Sequence, residues 1–296
     1  MPSRVDRPDD PRLSEYAHVG DHAWLAARGL FVAEGRLVVQ RLLRSGRFRI
    51  HSILLTPAAL APLGCALPAD APAYVAEQSV LNEVTGFNFH RGCLAIAHRP
   101  APTAHPAFVD ARRLLALEGV GNPDNVGGLF RVAAAFGVDG VLLDPATGDP
   151  FYRKAVRTSM GAVLGLPFRR LEPWPAALEA YRSLGFRLVA LTPRPEATPL
   201  AEYAGAAGLD ARLIVLAGAE GHGLEDATLA MADAMVRHAA HLHAIARATG
   251  KQIALALEPE PCCFLETTDE AIAFFEDHLF ARSAVEQFRR VAHTSA

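Results

Sequence analysis

The chain has 296 residues, of which 51% are hydrophobic, and this is long enough for two domains of ordinary size. Its net charge of −3 gives no overall basic surface, so any nucleic-acid contact has to come from local arginines. No apolar run reaches the length of a membrane span, and the N-terminus is charged and proline-rich rather than signal-like. We therefore expect a cytoplasmic protein without membrane contact.

The first hundred residues predict a small α/β unit. Residues 1–14 are expected to be loose, and a helix is expected over residues 29–44 with Leu37, Val38 and Leu42 facing inward. Further predicted elements are strands at 50–56, 73–76 and 93–97 and a short helix at 78–84. Residues 99–106 contain three prolines in eight positions and no apolar periodicity, which indicates a linker.

Two polar stretches of this unit have open interpretations. One is a run of arginines: Arg36, Arg41, Arg44, Arg47 and Arg49. These side chains would either hold the phosphates of a nucleic acid or form a solvated helix face. The other is the segment 87–91, FNFHR, which would either stack on bases or form a loop with two core aromatics.

A glycine-rich turn lies between a predicted strand and a predicted helix in residues 117–137, LEGVGNPDNVGGLFRVAAAFG. A strand is expected at 114–117, and the helical pattern starts at Asn125. One face of that helix would carry Val126, Leu129, Val132, Ala133 and Phe136. A strand, a glycine turn and a helix N-terminus together direct backbone N–H groups at an anion. Arg131 has no acidic residue three or four positions away, so we expect it to be unpaired within its helix.

The rest of this half alternates strands and helices. Strands are expected at 138–143, 186–191 and 212–216, and helices at 152–160 and 174–184. Apolar strands in repeated βα units are typical of a parallel sheet covered on both faces. The strand at 212–216 runs into a second glycine turn, with a helix beginning near Leu224.

Two motifs in this half resemble a known family. The spacing N-x-G-x-x-x-R at Asn125, Gly127 and Arg131 resembles the first motif of the SpoU-type RNA 2'-O-ribose methyltransferases, which belong to the knotted SPOUT class. The string G-x-E-G-x-G at residues 218–223 is similar to the second motif of that family. The alternative for the first motif alone is any strand-to-helix turn of an α/β protein. Both motifs occur in the order that the family has, and the resemblance therefore extends over residues 112–234.

The resemblance implies a domain organisation and partners. It implies an L30e-like RNA-binding domain at 15–99, a linker at 100–110 and a SPOUT-like methyltransferase domain with a parallel sheet at 111–234. Residues 1–14 would be a flexible N-terminus and residues 235–296 an atypical C-terminal segment. The expected partners are structured RNA, either tRNA or rRNA, and a second copy of the chain in a homodimer, with no DNA.

The resemblance also implies a cofactor and site residues. S-adenosylmethionine would donate the methyl group, and Asn125, Arg131 and Glu220 would be catalytic. Arg131 would hold a phosphate or the developing alkoxide, because a guanidinium is a poor base. The cofactor-binding residues implied are Thr192, Leu216, Ala217, Gly218 and Gly221. The alternatives are a helix-capping role for Glu220 and a plain strand end at Thr192.

After Ala234 the chain departs from the pattern of the family. A SpoU-type protein should continue with a short I-P-M strand and an S-L-N segment that opens the last helix, completing the cofactor pocket and the trefoil knot. No S-L-N string follows Gly223. A helix at 235–249, a strand at 253–257 and a helix at 269–279 are expected instead. The knot segment is therefore predicted to be lost or replaced, and S-adenosylmethionine to bind weakly or not at all.

Residues 237–280 resemble a fragment of a xylose-isomerase-like barrel protein, in which Glu258 would end a strand at the active-site face. This predicts a junction of two unrelated sequences near residues 233–237, and a divergent SpoU tail is the alternative. The rival function is a non-catalytic RNA-binding protein derived from such an enzyme. A sugar isomerase-like activity would rest on the tail alone.

No metal site is predicted. His238, His241 and His243 have no carboxylate or cysteine at a spacing that would complete a ligand set. The four cysteines, Cys65, Cys93, Cys262 and Cys263, show no C-x-x-C spacing.

Overall fold

The computed structural model describes residues 2–64, 67–88, 92–100, 108–194, 196–199, 202–203 and 212–237. Within these ranges the chain forms two sheets, one in the N-terminal third and one in the rest. No helix in the described ranges combines the length and the apolar character needed to cross a membrane.

The N-terminal sheet has five strands in the order β1-β4-β3-β5-β2. The strands are β1 (Ser3–Arg4), β2 (Leu30–Glu34), β3 (Ile50–Leu55), β4 (Ala73–Val75) and β5 (Cys93–His98). The helices of this part are α1 (His22–Ala27), α2 (Arg36–Ser45), α3 (Pro57–Leu63) and α4 (Gln78–Thr85), preceded by a 3-10 helix at Pro11–His18. Strand β5 runs antiparallel to β2 and β3, whereas β1, β4 and β3 are parallel.

The second sheet has seven strands, and all of its strand pairs are parallel. The strands are β6 (Arg113–Glu118), β7 (Gly140–Leu143), β8 (Phe168–Arg170), β9 (Phe186–Leu191), β10 (Thr198–Pro199), β11 (Arg212–Gly218) and β12 (Ala234–Arg237), in the order β10-β12-β9-β11-β6-β7-β8. The helices are α5 (Pro123–Ala135), α6 (Arg153–Thr158), α7 (Glu179–Ser183) and α8 (Asp226–Met231). The predicted α/β class and parallel sheet are confirmed.

The two sheets share one hydrophobic core. The ring of Phe151, from the second half, lies 4.8 Å from that of Phe31 on β2 and 5.2 Å from that of Phe168 on β8, measured between ring centroids. Arg153 of α6 also pairs with the buried Glu34 at the end of β2, at 3.2 Å. The described residues accordingly belong to one compact unit. The boundaries proposed at 99 and 111 remain predictions, but apolar contacts cross them.

The helix predicted over residues 29–44 is wrong in its first half. Residues Leu30–Glu34 are strand β2, all five of them buried, and the helix begins only at Arg36. Gly35 between them has a φ of +90°, which a helix cannot contain. Leu37, predicted to face inward, is 43% exposed, while Val38 and Leu42 are buried as expected.

Residues 3–14 are ordered rather than loose. Strand β1 pairs with β4, and the side chains of Val5 and Leu13 are almost fully buried. The charged and proline-rich composition of this stretch predicted a loose segment, because its few apolar residues do not form a periodic pattern.

The buried face of α5 also differs from the prediction. Val126 and Ala133 are buried as predicted, but the other two buried positions are Gly127 and Phe130. Phe136, the C-cap residue of α5, is 76% exposed.

Two further predicted helices need correction. Residues 174–184 form a 3-10 turn at Ala176–Leu178 and the short α7 instead of one helix. Residues 235–237 belong to strand β12 and are not helical. The remainder of the predicted helix at 235–249, and every feature predicted beyond it, lies outside the described residues.

The other predicted elements are confirmed, with shifts of at most two residues at their ends. These are the strands at 50–56, 73–76, 93–97, 114–117, 138–143, 186–191 and 212–216 and the helices at 78–84 and 152–160. Cys93 lies in the core, and burial raises the pKa of its thiol to about 12, so it is a packed, unreactive group at neutral pH.

Candidate active site

Both glycine turns lie at one edge of the second sheet. Strands β6 and β11 are parallel neighbours, and Glu118 at the end of one pairs with Gly218 at the end of the other. Strands β9 and β12 end at the same edge, where the N–H of Thr192 donates to the carbonyl of Val236 at 3.0 Å. The carboxyl ends of parallel strands are where open α/β sheets bind ligands.

The first turn is fixed by hydrogen bonds at both of its ends. The N–H of Val120 donates to Thr147 Oγ1 at 3.3 Å, and its carbonyl accepts from Gly148 N at 2.9 Å. The side chain of Asn122 accepts from Asp124 N at 2.9 Å and caps the first turn of α5. Helix α5 thus begins two residues before the predicted start at Asn125, which becomes its third residue.

Gly127 of the first motif allows a close contact between α5 and α6. A Cβ at this position would lie 2.6 Å from the carbonyl oxygen of Ala155 and 2.7 Å from Thr158 Oγ1. Lys154 of α6 also forms an ion pair with Asp124 at the start of α5. The glycine in N-x-G-x-x-x-R is therefore required by packing.

The second turn folds back on the end of its own strand. A Cβ on Gly218 would lie 2.1 Å from the backbone carbon of Gly223, so only glycine fits there. The N–H of Gly223 donates to the carbonyl of Ala219 at 3.0 Å, and Gly223 has a φ of +74°. This tight turn presents Glu220, Gly221 and His222 at the surface.

The two motifs meet through their polar side chains. Asn125 Nδ2 donates to Glu220 Oε2 at 3.2 Å, although the two residues are 95 positions apart in sequence. Two of the three predicted catalytic residues are thus in contact. A role for Glu220 in capping α8 is not seen, because the N-cap of that helix is Glu225.

Arg131 is exposed on α5 and forms no hydrogen bond or ion pair with any described residue. Six positions on a helix place it about 120° around the axis and about 9 Å along it from Asn125. The structure therefore does not bring Arg131 into the contact between Asn125 and Glu220. Its guanidinium is free to bind an anion.

The predicted cofactor residues differ in what they can offer a ligand. Leu216 is fully buried between β6 and β9, so only its backbone is available. Ala217 and Thr192 are partly exposed, and Thr192 Oγ1 accepts from Arg194 N at 3.4 Å. Gly218 faces Gly223, whereas a Cβ on Gly221 would meet nothing within 4 Å, so the Gly221 backbone is open to a ligand.

Glu118 is a polar residue of this edge that the sequence did not single out. Its carboxylate is buried and accepts three hydrogen bonds, from Trp174, Glu225 and Thr228. A glutamate that ends an apolar strand just before a glycine turn was the available signal. Next to it, His222 lies over Gly119, with Nε2 3.2 Å from the position of a Cβ there.

The arginine run is divided between two roles. Arg41 donates to the carbonyl of Met160 at 2.6 Å and Arg47 to that of Gly165 at 2.8 Å, so these two arginines connect α2 and the loop after it to the second half of the chain. Arg49 contacts His98 Nδ1 at 3.0 Å. Arg36 and Arg44 are exposed and form no hydrogen bond or ion pair within the described ranges.

Phe87 is half-buried against the N-terminal core, with the guanidinium of Arg153 4.5 Å from its ring centroid. This packing favours the interpretation of Phe87 as a core aromatic over a role in stacking on bases. Residues 89–91 lie outside the described ranges.

Known proteins agree with this architecture. Residues 112–241 match the model of the SpoU rRNA Methylase family. An uncharacterized tRNA/rRNA methyltransferase of Mycobacterium bovis is 41% identical over 236 residues, which are 78% of this chain and 81% of that protein. The chain belongs to the SpoU family. A second relative, an uncharacterized tRNA/rRNA methyltransferase of Synechocystis, is 38% identical over 38% of this chain and 40% of its own length.

Solved structures show the same fold. A crystal structure of an RNA 2'-O ribose methyltransferase covers 79% of this chain and 88% of its own, with a TM-score of 0.65 and 24% identity. The structure of an AdoMet-bound rRNA methyltransferase from Sinorhizobium meliloti matches 79% of this chain and 88% of its own, with a TM-score of 0.66 and 22% identity. The SPOUT-like α/β fold predicted from the motifs is therefore confirmed.

Proposed function

We propose that this protein methylates ribose 2'-hydroxyl groups of tRNA or rRNA with S-adenosylmethionine as the methyl donor. The observation that carries the proposal is the hydrogen bond between Asn125 and Glu220, which joins the two family motifs at the carboxyl edge of a parallel sheet. Family membership supports methyl transfer to RNA, and one structural neighbour is an RNA 2'-O ribose methyltransferase.

The residues at the sheet edge fit S-adenosylmethionine. The open backbone of Gly221 and the partly exposed Ala217 and Thr192 offer a small, largely uncharged surface at the ends of β9 and β11. A nucleoside ligand needs such close access to backbone donors and acceptors. When bound, S-adenosylmethionine supplies a methyl group on a positively charged sulfur.

The side chains at this edge have complementary tasks. A ribose hydroxyl is a weak nucleophile, so the site has to orient it and accept its proton. Asn125 holds Glu220 through Oε2, and Glu220 Oε1 forms no hydrogen bond within the described residues, which leaves it available to the hydroxyl proton. Arg131 offers the planar fork of its guanidinium to the neighbouring phosphate.

We also propose a homodimer in the cytoplasm. Phe136 is 76% exposed, and Leu129 and Val132 of the same helix are only partly buried. An exposed aromatic beside further apolar side chains is the kind of surface that association covers. Size-exclusion chromatography with light scattering of the full chain tests this part, and a monomeric mass at micromolar concentration would contradict it.

The competing function is a non-catalytic RNA-binding protein. The observation that favours it is the missing S-L-N string, since an incomplete pocket would weaken cofactor binding while leaving the arginines of the N-terminal half in place. The two candidates differ in one property, which is transfer of a labelled methyl group to RNA.

A double-mutant cycle on methyl transfer tests the proposed chemistry. We expect Asn125→Ala and Glu220→Gln each to lower kcat by about 100-fold, and the double variant to be little worse than either, because the two side chains act as one unit. Effects that simply multiply would show that the two residues act independently. If the parent protein transfers no labelled methyl group to RNA, the non-catalytic RNA-binding function is favoured.

A further inference from the structure

A buried carboxylate lies directly behind the proposed site. Glu118 is the last residue of β6 and is only 4% exposed. Its Oε1 accepts from Trp174 Nε1 and from Thr228 Oγ1, both at 2.5 Å, and its Oε2 accepts from the N–H of Glu225 at 2.9 Å. All three donors are neutral, and no described cation lies within ion-pair distance of Glu118.

Stability alone does not account for such a group. Burying a carboxylate costs hydration energy that neutral donors only partly return, and apolar residues of similar volume often give a more stable core. What the carboxylate provides is directionality, since each hydrogen bond fixes the position of one donor. The donors come from two separate segments, the one after β8 and the start of α8.

Both ends of the second glycine turn are attached to this one residue. At its start, Gly218 is the strand partner of Glu118 in the pairing of β11 with β6. At its end, the backbone of Glu225 donates to the Glu118 side chain, and Thr228 in the first turn of α8 donates to the same carboxylate. Glu220 lies between these two attachments.

We propose that Glu118 is a positioning residue for methyl transfer, which holds the turn of residues 219–224 so that Glu220 reaches Asn125. This inference rests on the proposed function. It assigns an indirect role to Glu118, which contacts neither the RNA nor the cofactor in that reaction. Glu118 acts through the turn, whereas Asn125 and Glu220 act on the substrate.

The test uses Glu118→Gln in the full chain. The amide has the shape of the carboxylate, but its nitrogen donates where an N–H or O–H has to be accepted, so at least one attachment is lost. We expect kcat for methyl transfer to fall by about 100-fold, the cost of a displacement of about 1 Å, with an unchanged KM for RNA. Hydrogen exchange of the amides at 219–225 should become faster, while that of β9 stays the same.

A matched pair of variants at Thr228 separates the hydrogen bond from packing. Thr228→Ser keeps the hydroxyl and should retain the parent kcat and turn protection. Thr228→Val keeps the shape without the donor and should show a smaller version of the Glu118→Gln defect. Tyr16→Phe is the stability control, because it removes a buried hydrogen bond to Ser52, 2.8 Å long, in the other sheet. It should lower Tm and leave kcat unchanged.

Two results would overturn the inference. One is a Glu118→Gln protein whose kcat matches that of Tyr16→Phe, and the other is unchanged amide protection of residues 219–225. If the parent protein transfers no methyl group to any RNA, the proposed function fails, and the exchange measurement still decides whether Glu118 holds the turn.

Discussion

The three side chains proposed to carry the chemistry are prepared to different degrees by the fold. Asn125 and Glu220 are hydrogen-bonded to each other. Arg131 is exposed and has no partner among the described residues, so its position is set only by its own helix. This difference means that Arg131 is the residue that a bound phosphate would order.

Replacing Arg131 should separate activity from stability. We expect Arg131→Ala to lower kcat for methyl transfer by about 100- to 1,000-fold, as for loss of a charge-stabilising donor. Its free energy of unfolding should change by less than about 0.5 kcal/mol, because the side chain is exposed. Arg131→Lys should also fail, since an ammonium cannot replace the planar fork.

Arg113→Ala is the matched control, because Arg113 is an exposed arginine at the opposite end of β6. It should retain full activity. Parent-like methylation by Arg131→Ala would remove this arginine from the mechanism.

At the scale of elements, apolar runs located strands β3, β5, β6, β7, β9 and β11. Local periodicity was not sufficient to separate a strand from the helix that follows it. The strand β2 and the helix α2 were merged into one predicted helix, because LFVAE also satisfies a helical pattern when read together with RLVVQ. Only the φ of +90° at Gly35 reveals the break, and a glycine in a sequence does not report its φ. The contact between Asn125 and Glu220 likewise depends on β11 lying beside β6, which is a property of strand order.

Glu118 and β12 were missed for related reasons. The donors of Glu118 lie 56, 107 and 110 positions away in the sequence, so no local sequence pattern predicts these hydrogen bonds. Strand β12 has the sequence AMVR in place of the expected I-P-M, and its strand character comes from pairing with β9 and β10. A short segment takes its conformation from its neighbours more than from its own propensity.

Asp233 anchors β12 and gives a prediction for the pH dependence of stability. Burial alone would raise the pKa of this carboxyl group, but the N–H of Leu188 at 2.8 Å and the guanidinium of Arg182 at 2.7 Å outweigh burial and lower it. A lowered folded-state pKa gives stability that is present above the unfolded pKa, near 4, and is lost as the pH falls through the folded value.

We expect Asp233→Asn to be less stable than the parent by about 1 kcal/mol at pH 7. The difference should shrink as the pH falls below about 4, because the carboxyl group takes up a proton first in the unfolded parent and only at lower pH in the folded parent. Urea unfolding at pH 7 and at successive lower pH values measures it. A stability difference that stays constant down to pH 3 would contradict the assigned cause.

At the scale of the molecule, the shared core changes what can be expected of the N-terminal half. Residues 15–99 expressed alone would lack Val5 and Leu13 and would expose Phe31, which packs on Phe151. Independent folding of that fragment, which the predicted domain boundaries imply, is therefore unfavourable. RNA binding by the arginine run is better tested in the full chain.

The exposed arginines of α2 should contribute to RNA affinity and its dependence on salt. We expect Arg36→Ala and Arg44→Ala each to weaken binding of unmodified tRNA or rRNA fragments and to reduce the slope of log affinity against log salt by about 1. Arg41→Ala is the control: Arg41 is held by the carbonyl of Met160, so its loss should lower Tm and leave the slope unchanged. If the slope of log affinity against log salt is unchanged in Arg36→Ala and Arg44→Ala, these arginines form a solvated helix face and do not contact phosphates.

The predicted weakness of cofactor binding remains a whole-molecule prediction. Strand β12 covers Ala234–Arg237, where the family pattern has its short strand. The junction of two sequences near residues 233–237 stays a prediction. No S-L-N string follows to complete the far wall of the pocket, and a pocket without that wall buries less of the ligand. We therefore expect methyl transfer to need S-adenosylmethionine near the upper end of the usual KM range, about 1 mM.

The most direct test of the central claim is the identity of the modified nucleoside. Unmodified tRNA and rRNA would be incubated with the full chain and about 5 mM S-adenosylmethionine, well above the expected KM. The RNA is then digested to nucleosides and analysed by mass spectrometry. The account predicts a 2'-O-methylnucleoside that is absent with Arg131→Ala and present with Arg113→Ala. Methyl groups found only on bases, or on no nucleoside at all, would contradict it.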